Sequence, residues 1–231
     1  MWDQEVEAWS ANFRVIAPDF KGFGNSPMAS GEFSMAGCAQ DIHGLLVSLG
    51  VHRDGVLLGL SMGGYVCFEF LREHQDMLRG VILVATHPLA DSDSARQARF
   101  DTADFVRREG SRALAEKLIP RLLGRTTLAT KPEIAEQVRG LIRSNSPETI
   151  ARACHGLAAR RDSIEFLSDI RIPTLIIAGA EDALIPLAQA ETMRRRIPSS
   201  QLVVVPECGH LINLEQPTHF QNAVSSFLAT V

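Results

Sequence analysis

The chain has 231 residues, 45% of them hydrophobic and 22% charged, with 23 basic and 27 acidic side chains giving a formal net charge of −4. A typical domain runs to about 150 residues, so one large domain, or one domain with an insertion, is expected, and a disordered or fibrous chain is excluded. The slight acidic excess argues against a sequence-independent nucleic-acid binder, which needs a basic surface to displace counterions.

The opening MWDQEVEAWS is acidic and lacks the basic start and apolar stretch of a signal peptide. Phe13–Pro18 (FRVIAP) reads as a strand. Behind Ser34, a good N-cap, Met35, Cys38, Ile42, Leu45, Leu46 and Leu49 recur at helical spacing. Gly55–Leu60 (GVLLGL) and Gly80–Ala85 (GVILVA) read as strands on either side of a helix over Gly64–His74. From Asp91 to Ala159 the pattern is helical only, over Arg96–Arg108, Ala113–Leu123, Pro132–Arg143 and Pro147–Ala159, with Pro120, Pro132 and Pro147 as punctuation. Strands return at Thr174–Gly179 (TLIIAG) and Gln201–Val205 (QLVVV), and a helix over Pro217–Leu228 closes the chain.

Nearly continuous apolar strands are those buried on both faces, and their alternation with helices predicts an α/β fold. The expected architecture is a mostly parallel sheet with helices on both faces. Residues 1–90 and 160–231 would form the core, and 91–159 a helical cap insertion that walls a pocket at one end of the sheet. Cys38, Cys67, Cys154 and Cys208 form no CxxC pair, so neither a zinc site nor a disulfide framework is expected, and a reducing, cytoplasmic setting follows. Apolar runs such as Val81–Ala85 fall far short of the roughly 20 residues of a membrane helix.

The sharpest local feature is Gly59-Leu60-Ser61-Met62-Gly63-Gly64, a G-x-S-x-G motif between a buried strand and a helix. A sharp strand-to-helix turn lifts the serine hydroxyl clear of the sheet, and glycines on either side avoid collisions with the neighbouring strand and helix. The backbone N–H of Met62, at the helix start, would point at a developing oxyanion. A serine nucleophile needs a base, and the base an orienting acid. Loops after the last two strands supply Glu181 and Asp182 as rival acids, and His210 as the base. His43, His52, His74, His155 and His219 lie on or beside helices and fit that role less well. His87, just past Gly80–Ala85, could line the substrate pocket or face solvent. Arg160-Arg161 could attract a substrate carboxylate or form a solvated helix end, whereas Arg194–Arg196 offsets the dipole at a helix C-terminus. Cys208 reads as a packing residue.

Together these segments resemble the α/β-hydrolases, nearest to the small bacterial esterases, 3-oxoadipate enol-lactonases and cofactor-free haloperoxidases. RVIAPDFKGFGNS resembles the stretch before the family's first long helix, although Lys21 stands where arginine is usual; GLSMGG resembles the nucleophile elbow, GAEDALIP the acid loop and ECGHLINLEQP the histidine loop. AARRDSIEFLSDI resembles the segment leading out of a helical cap. The resemblance implies Ser61 as nucleophile, Asp182 as the acid, His210 as the base, and hydrolysis of a small ester or lactone through an acyl-enzyme with no cofactor or metal. A cofactor-free haloperoxidase or perhydrolase uses the same triad, and peracid formation from acetate and hydrogen peroxide separates the two. The elbow serine disfavours the dehalogenase and epoxide hydrolase branches, which use aspartate there.

In that family, three strands and a His-Gly loop that supplies a second oxyanion N–H, roughly 25–30 residues in all, precede the stretch matching Met1–Ser10. Met1–Ser10 itself resembles the helix after that loop, with Trp2, Val6 and Trp9 on one face. Two expectations follow. Either the gene product begins upstream of Met1, or a short sheet closes up or recruits a partner strand. With one oxyanion donor the chain as written would lose about 10²–10³ in rate.

Overall fold

The computed structural model describes residues 1–28 and 30–231 of the chain. Four strands, β1 (Gly55–Leu60), β2 (Leu78–Val84), β3 (Thr174–Gly179) and β4 (Ser200–Val205), form a parallel sheet in the order β1-β2-β3-β4. Side chains alternate across a strand, and the core divides accordingly. Val81, Leu83, Ile176 and Ala178 pack on one face with α2 (Met35–Ser48), α3 (Met62–His74) and α8 (Leu187–Arg196). Ile82, Val84, Leu175 and Ile177 pack on the other with α9 (Ile212–Glu215), α10 (Pro217–Leu228) and, at its margin, α1 (Asp3–Trp9). The central strands β2 and β3 are buried on both faces, as their unbroken apolar runs suggest, whereas β1 is only partly buried and β4 leaves Val204 exposed. Trp2, just before α1, and Trp9, its last residue, both lie against Phe220, with ring centroids 6.2 and 6.3 Å away.

Between β2 and β3 the chain makes α4 (Asp93–Leu122), α5 (Arg125–Thr130), α6 (Pro132–Arg143) and α7 (Pro147–Ala158). Ser92 and Ser146 cap α4 and α7 by accepting hydrogen bonds from the N–H groups of Ala95 and Thr149. The two helices expected before Leu123 are one run broken at Gly110, whose φ of 83° a side chain would resist. Pro120 sits inside that run rather than ending it, and the short α5 was not foreseen. Helices α4 and α7 enclose a small core of Ala103, Val106, Leu114, Ala151 and Cys154.

The two ends of this helical insertion are fastened together. Arg160 Nη2 lies 2.6 Å from Asp91 Oδ1, and Arg99 Nε lies 3.1 Å from Asp91 Oδ2, with the Asp91 and Arg160 side chains both buried. Arg160 also stacks over the Tyr65 ring at 4.4 Å. Its neighbour Arg161 forks onto the buried Glu69 carboxylate. The two arginines therefore part company: Arg160 is neither solvated nor free for a substrate carboxylate, while Arg161 is exposed to solvent, as a solvated helix end would be, and is already paired with Glu69.

A second correction concerns Phe13–Pro18, which forms no strand. It runs over the surface, with Phe13 exposed and Arg14 Nη1 donating to the Leu49 carbonyl at 3.0 Å. Strand propensity needs a ladder to act on, and β1 pairs only with β2, so the sheet does not close over this segment. No strand precedes Gly55 among the described residues. No helix among them is long and apolar enough to cross a membrane, and all four cysteines are buried free thiols.

Candidate active site

Parallel strands end together, and the loops after β1, β2, β3 and β4 emerge at the same end of the sheet. Ser61 follows β1 directly, with φ 53° and ψ −111°, a backbone that non-glycine residues rarely adopt. Three bonds hold it there. The Ser61 N–H donates to the Val84 carbonyl at 2.8 Å, and the Ser61 carbonyl accepts from the Gly64 N–H at 2.9 Å and the Thr86 hydroxyl at 3.0 Å. A Cβ on Gly59 would come 2.3 Å from the Gly63 carbonyl oxygen, and one on Gly64 would strike Thr86 at 2.5 Å. A Cβ on Gly63 would meet open space, so the close approach expected of the second motif glycine belongs to its neighbour Gly64. Met62 opens α3, where the first N–H groups have no intrahelical partner.

After β3, the two adjacent carboxylates separate. Asp182 Oδ2 lies 2.8 Å from His210 Nδ1, and both side chains are almost fully buried. Its other oxygen, Oδ1, accepts from the N–H groups of Leu184 and Ile185 at 2.8 and 3.0 Å. With Oδ1 so occupied, Oδ2 is directed at the imidazole. Glu181 turns away toward α5. It accepts from the Thr126 N–H at 2.9 Å, the Thr126 hydroxyl at 2.8 Å and Arg125 Nε at 3.1 Å, and the Thr126 backbone bond is the main reason its carboxyl lies below the ordinary range.

His87 is half-buried, and its contacts lie away from the Asp182–His210 pair. Its ring meets Tyr65 edge to face at 5.3 Å, and Nδ1 accepts from the Leu89 N–H at 3.3 Å. Burial, then the nearby Arg160 charge, lowers its pKa to about 4. Of the other histidines, His43 and His74 stack on each other at 3.8 Å, and His155 packs beside Phe100 at 5.3 Å. Arg194–Arg196 does end α8, as expected, and Cys208 is fully buried, its thiol pKa raised by burial. No cluster of three or more histidine, cysteine or carboxylate groups that could hold a metal occurs among the described residues.

The model of the alpha/beta hydrolase fold family matches residues 1–217. The chain belongs to the alpha/beta hydrolase family. As a member of it, the protein is a hydrolase with relatives of known structure and activity. It is 42% identical to a thermophilic esterase from Thermogutta terrifontis, with a TM-score of 0.95 over 99% of this chain and 84% of that one. To the enol-lactonase of Burkholderia xenovorans it is 28% identical, with a TM-score of 0.90 over 99% of this chain and 85% of that one. Among curated proteins, 3-oxoadipate enol-lactonase 2 of Acinetobacter baylyi is 29% identical over 228 residues, 99% of this hydrolase and 83% of the relative.

Sequence reasoning did not single out Thr86 or Glu215. Thr86 braces the Ser61 carbonyl. Glu215, fully buried, accepts three backbone N–H bonds around the histidine loop. Its only signal in the sequence is an acidic residue in the apolar stretch between His210 and Pro217.

Proposed function

We propose that the chain hydrolyses small carboxylic esters or lactones by a Ser61–His210–Asp182 triad, with the helical insertion at 91–159 as a cap over the site. The observation that carries this reading is the buried 2.8 Å contact between Asp182 and His210, at the sheet end where Ser61 stands in its strained turn. The esterase and enol-lactonase relatives support the substrate class.

The chemistry follows from which atoms are already engaged. With Oδ1 of Asp182 held by two backbone N–H groups, Oδ2 accepts a hydrogen bond from His210 Nδ1–H, and the proton stays on the imidazole. That tautomer leaves Nε2 unprotonated, the form a general base requires. Nε2 takes the Ser61 hydroxyl proton as Oγ attacks the carbonyl carbon, and the resulting imidazolium is stabilised by the buried carboxylate. The oxyanion forms beside the Met62 N–H at the start of α3. Collapse of the tetrahedral adduct breaks the bond to the alkoxy group, which leaves with the proton from Nε2. Water, deprotonated by the same nitrogen, then attacks the acyl carbon, and collapse breaks the bond to Ser61 Oγ, which takes the proton back from Nε2 as the acid leaves. Among small p-nitrophenyl esters and lactones, Ser61→Ala is expected to lower kcat about 10⁴-fold or more. Full turnover by that variant would overturn the assignment.

A further inference from the structure

Glu215 does not touch the reacting atoms, yet its side chain is completely buried and its two oxygens serve three backbone donors on two different segments. Oε2 accepts from the Gly209 N–H at 3.0 Å and the Gly124 N–H at 2.8 Å, while Oε1 accepts from the Leu211 N–H at 3.1 Å. Gly209 and Leu211 flank His210, whereas Gly124 lies in the turn between α4 and α5 of the insertion. The His210 N–H itself donates to the carbonyl of Leu122, at the end of α4, at 3.0 Å.

Two segments from different parts of the fold are thus bolted together around one carboxylate. They approach so closely that only glycine fits: a Cβ on Gly209 would lie 2.3 Å from the Gly124 nitrogen, and one on Gly124 2.8 Å from the Gly209 nitrogen. Lys131, just before α6, ties a further part of the insertion to the same residue by donating to the Glu215 carbonyl at 2.6 Å. Hydrogen bonds to a carboxylate are stronger than neutral ones, and an unmet buried donor is costly. The carboxylate therefore sets the position of the His210 backbone relative to both the sheet and the insertion.

We propose that Glu215 is the positioning residue of the base: it aligns His210 with Asp182 and makes that alignment depend on the seating of the insertion turn at Leu122–Gly124. This rests on His210 being the base, as proposed above. A glutamine in its place offers one acceptor oxygen and turns an NH₂ group toward at least one of the three N–H donors.

The test begins with His210→Ala, which decides the base independently; if it hydrolyses esters at the full rate, the triad reading fails and this inference with it. If His210→Ala is inactive, Glu215→Gln is compared with the parent chain in kcat, KM and the pH profile of kcat/KM. Misalignment of about 1 Å costs on the order of 10²-fold, so kcat should fall by about that factor with KM within about twofold. The acid limb should move to lower pH, because an imidazole held less well by Asp182 gains less from protonation. The far-downfield proton resonance of the His210–Asp182 bond should weaken in parallel. A Glu215→Gln chain that melts earlier but keeps its kcat, acid limb and downfield resonance would overturn the proposal, since Glu215 would then be only structural. Should Glu215→Gln not fold, amide exchange in the parent chain decides. The Gly124, Gly209 and Leu211 N–H groups should exchange together, and a Gly124 N–H that exchanges freely while the other two stay protected would sink the coupling.

Discussion

Glu181 and Asp182 are neighbours of one chemical type, and nothing in their side chains says which one meets His210. The choice is made by backbone geometry after β3, which gives Asp182 Oδ1 two N–H donors and sends Glu181 toward Thr126. Residue identity therefore showed where a carboxylate partner for His210 lies, and local conformation which of the two residues makes the contact. His87 was legible as a histidine at the right end of the sheet, but its burial against Tyr65 was not, because that depends on how the chain turns back from the insertion. The burial has a measurable consequence. An unfolded histidine binds a proton near pH 6.5, whereas folded His87 does so only near pH 4. Between those values protons favour the unfolded chain, so the stability due to neutral His87 is intact above pH 6.5 and is lost as the pH falls toward 4. Chemical denaturation at a series of pH values should show His87→Gln with a shallower loss of stability across this window than the parent. An unchanged slope would mean that His87 protonates freely in the folded state.

At the level of elements, β1 and β3 and helices α6 and α10 have the bounds their residue patterns predict, because each is bounded by local signals: a buried apolar run, or a proline at the first turn. Phe13–Pro18 has the same kind of pattern and remains irregular, since a strand is a property of a pair. The clasp across the insertion was beyond reading for a related reason. Asp91 and Arg160 lie 69 residues apart in sequence, and each alone looks like an ordinary surface charge. Burial would raise the Asp91 carboxyl, but Arg160 and Arg99 outweigh it and hold the carboxyl below its ordinary value. A depressed acid contributes stability that is complete above the ordinary carboxylate range and disappears as the pH falls through the folded value. Asp91→Asn removes that contribution at every pH and leaves the Arg160 charge buried. It should cost about 3–5 kcal/mol in urea denaturation near neutrality and open the insertion to limited proteolysis. As the pH falls below the folded value of the Asp91 carboxyl, the parent and variant should converge. Equal protease resistance at neutral pH would show that the clasp does not hold the insertion.

Across the whole molecule, the fold class was readable because burial of both sheet faces at β2 and β3, and the alternation of strands with helices, leave their mark in composition as well as order. What composition could not carry is how the outermost elements meet the core, and α1 is the clearest instance. Trp2 and Trp9 seat it on Phe220 as their spacing suggests, but the same docking buries Glu5. Asn213 and Gln221 lie beside this carboxylate, yet neither closes a hydrogen bond of normal geometry to its oxygens, and the Asn213 amide oxygen is likewise left without a partner. Burial raises the Glu5 pKa above 4.5. The sign is opposite to that of Asp91. The unfolded chain releases this proton near its ordinary value while the folded chain retains it, so stability is greatest at low pH and is lost as the pH rises through the folded value. Glu5→Gln removes the charge and supplies an amide N–H that can reach the orphaned Asn213 oxygen. At pH 8 the variant should therefore be more stable by about 1–3 kcal/mol, with each kcal/mol raising Tm by about 2–4 °C in a chain of this size. Near pH 4, where both side chains are neutral, the two melting temperatures should nearly coincide. A variant that melts earlier than the parent at pH 8 would mean that the Glu5 carboxylate has a partner that compensates its burial.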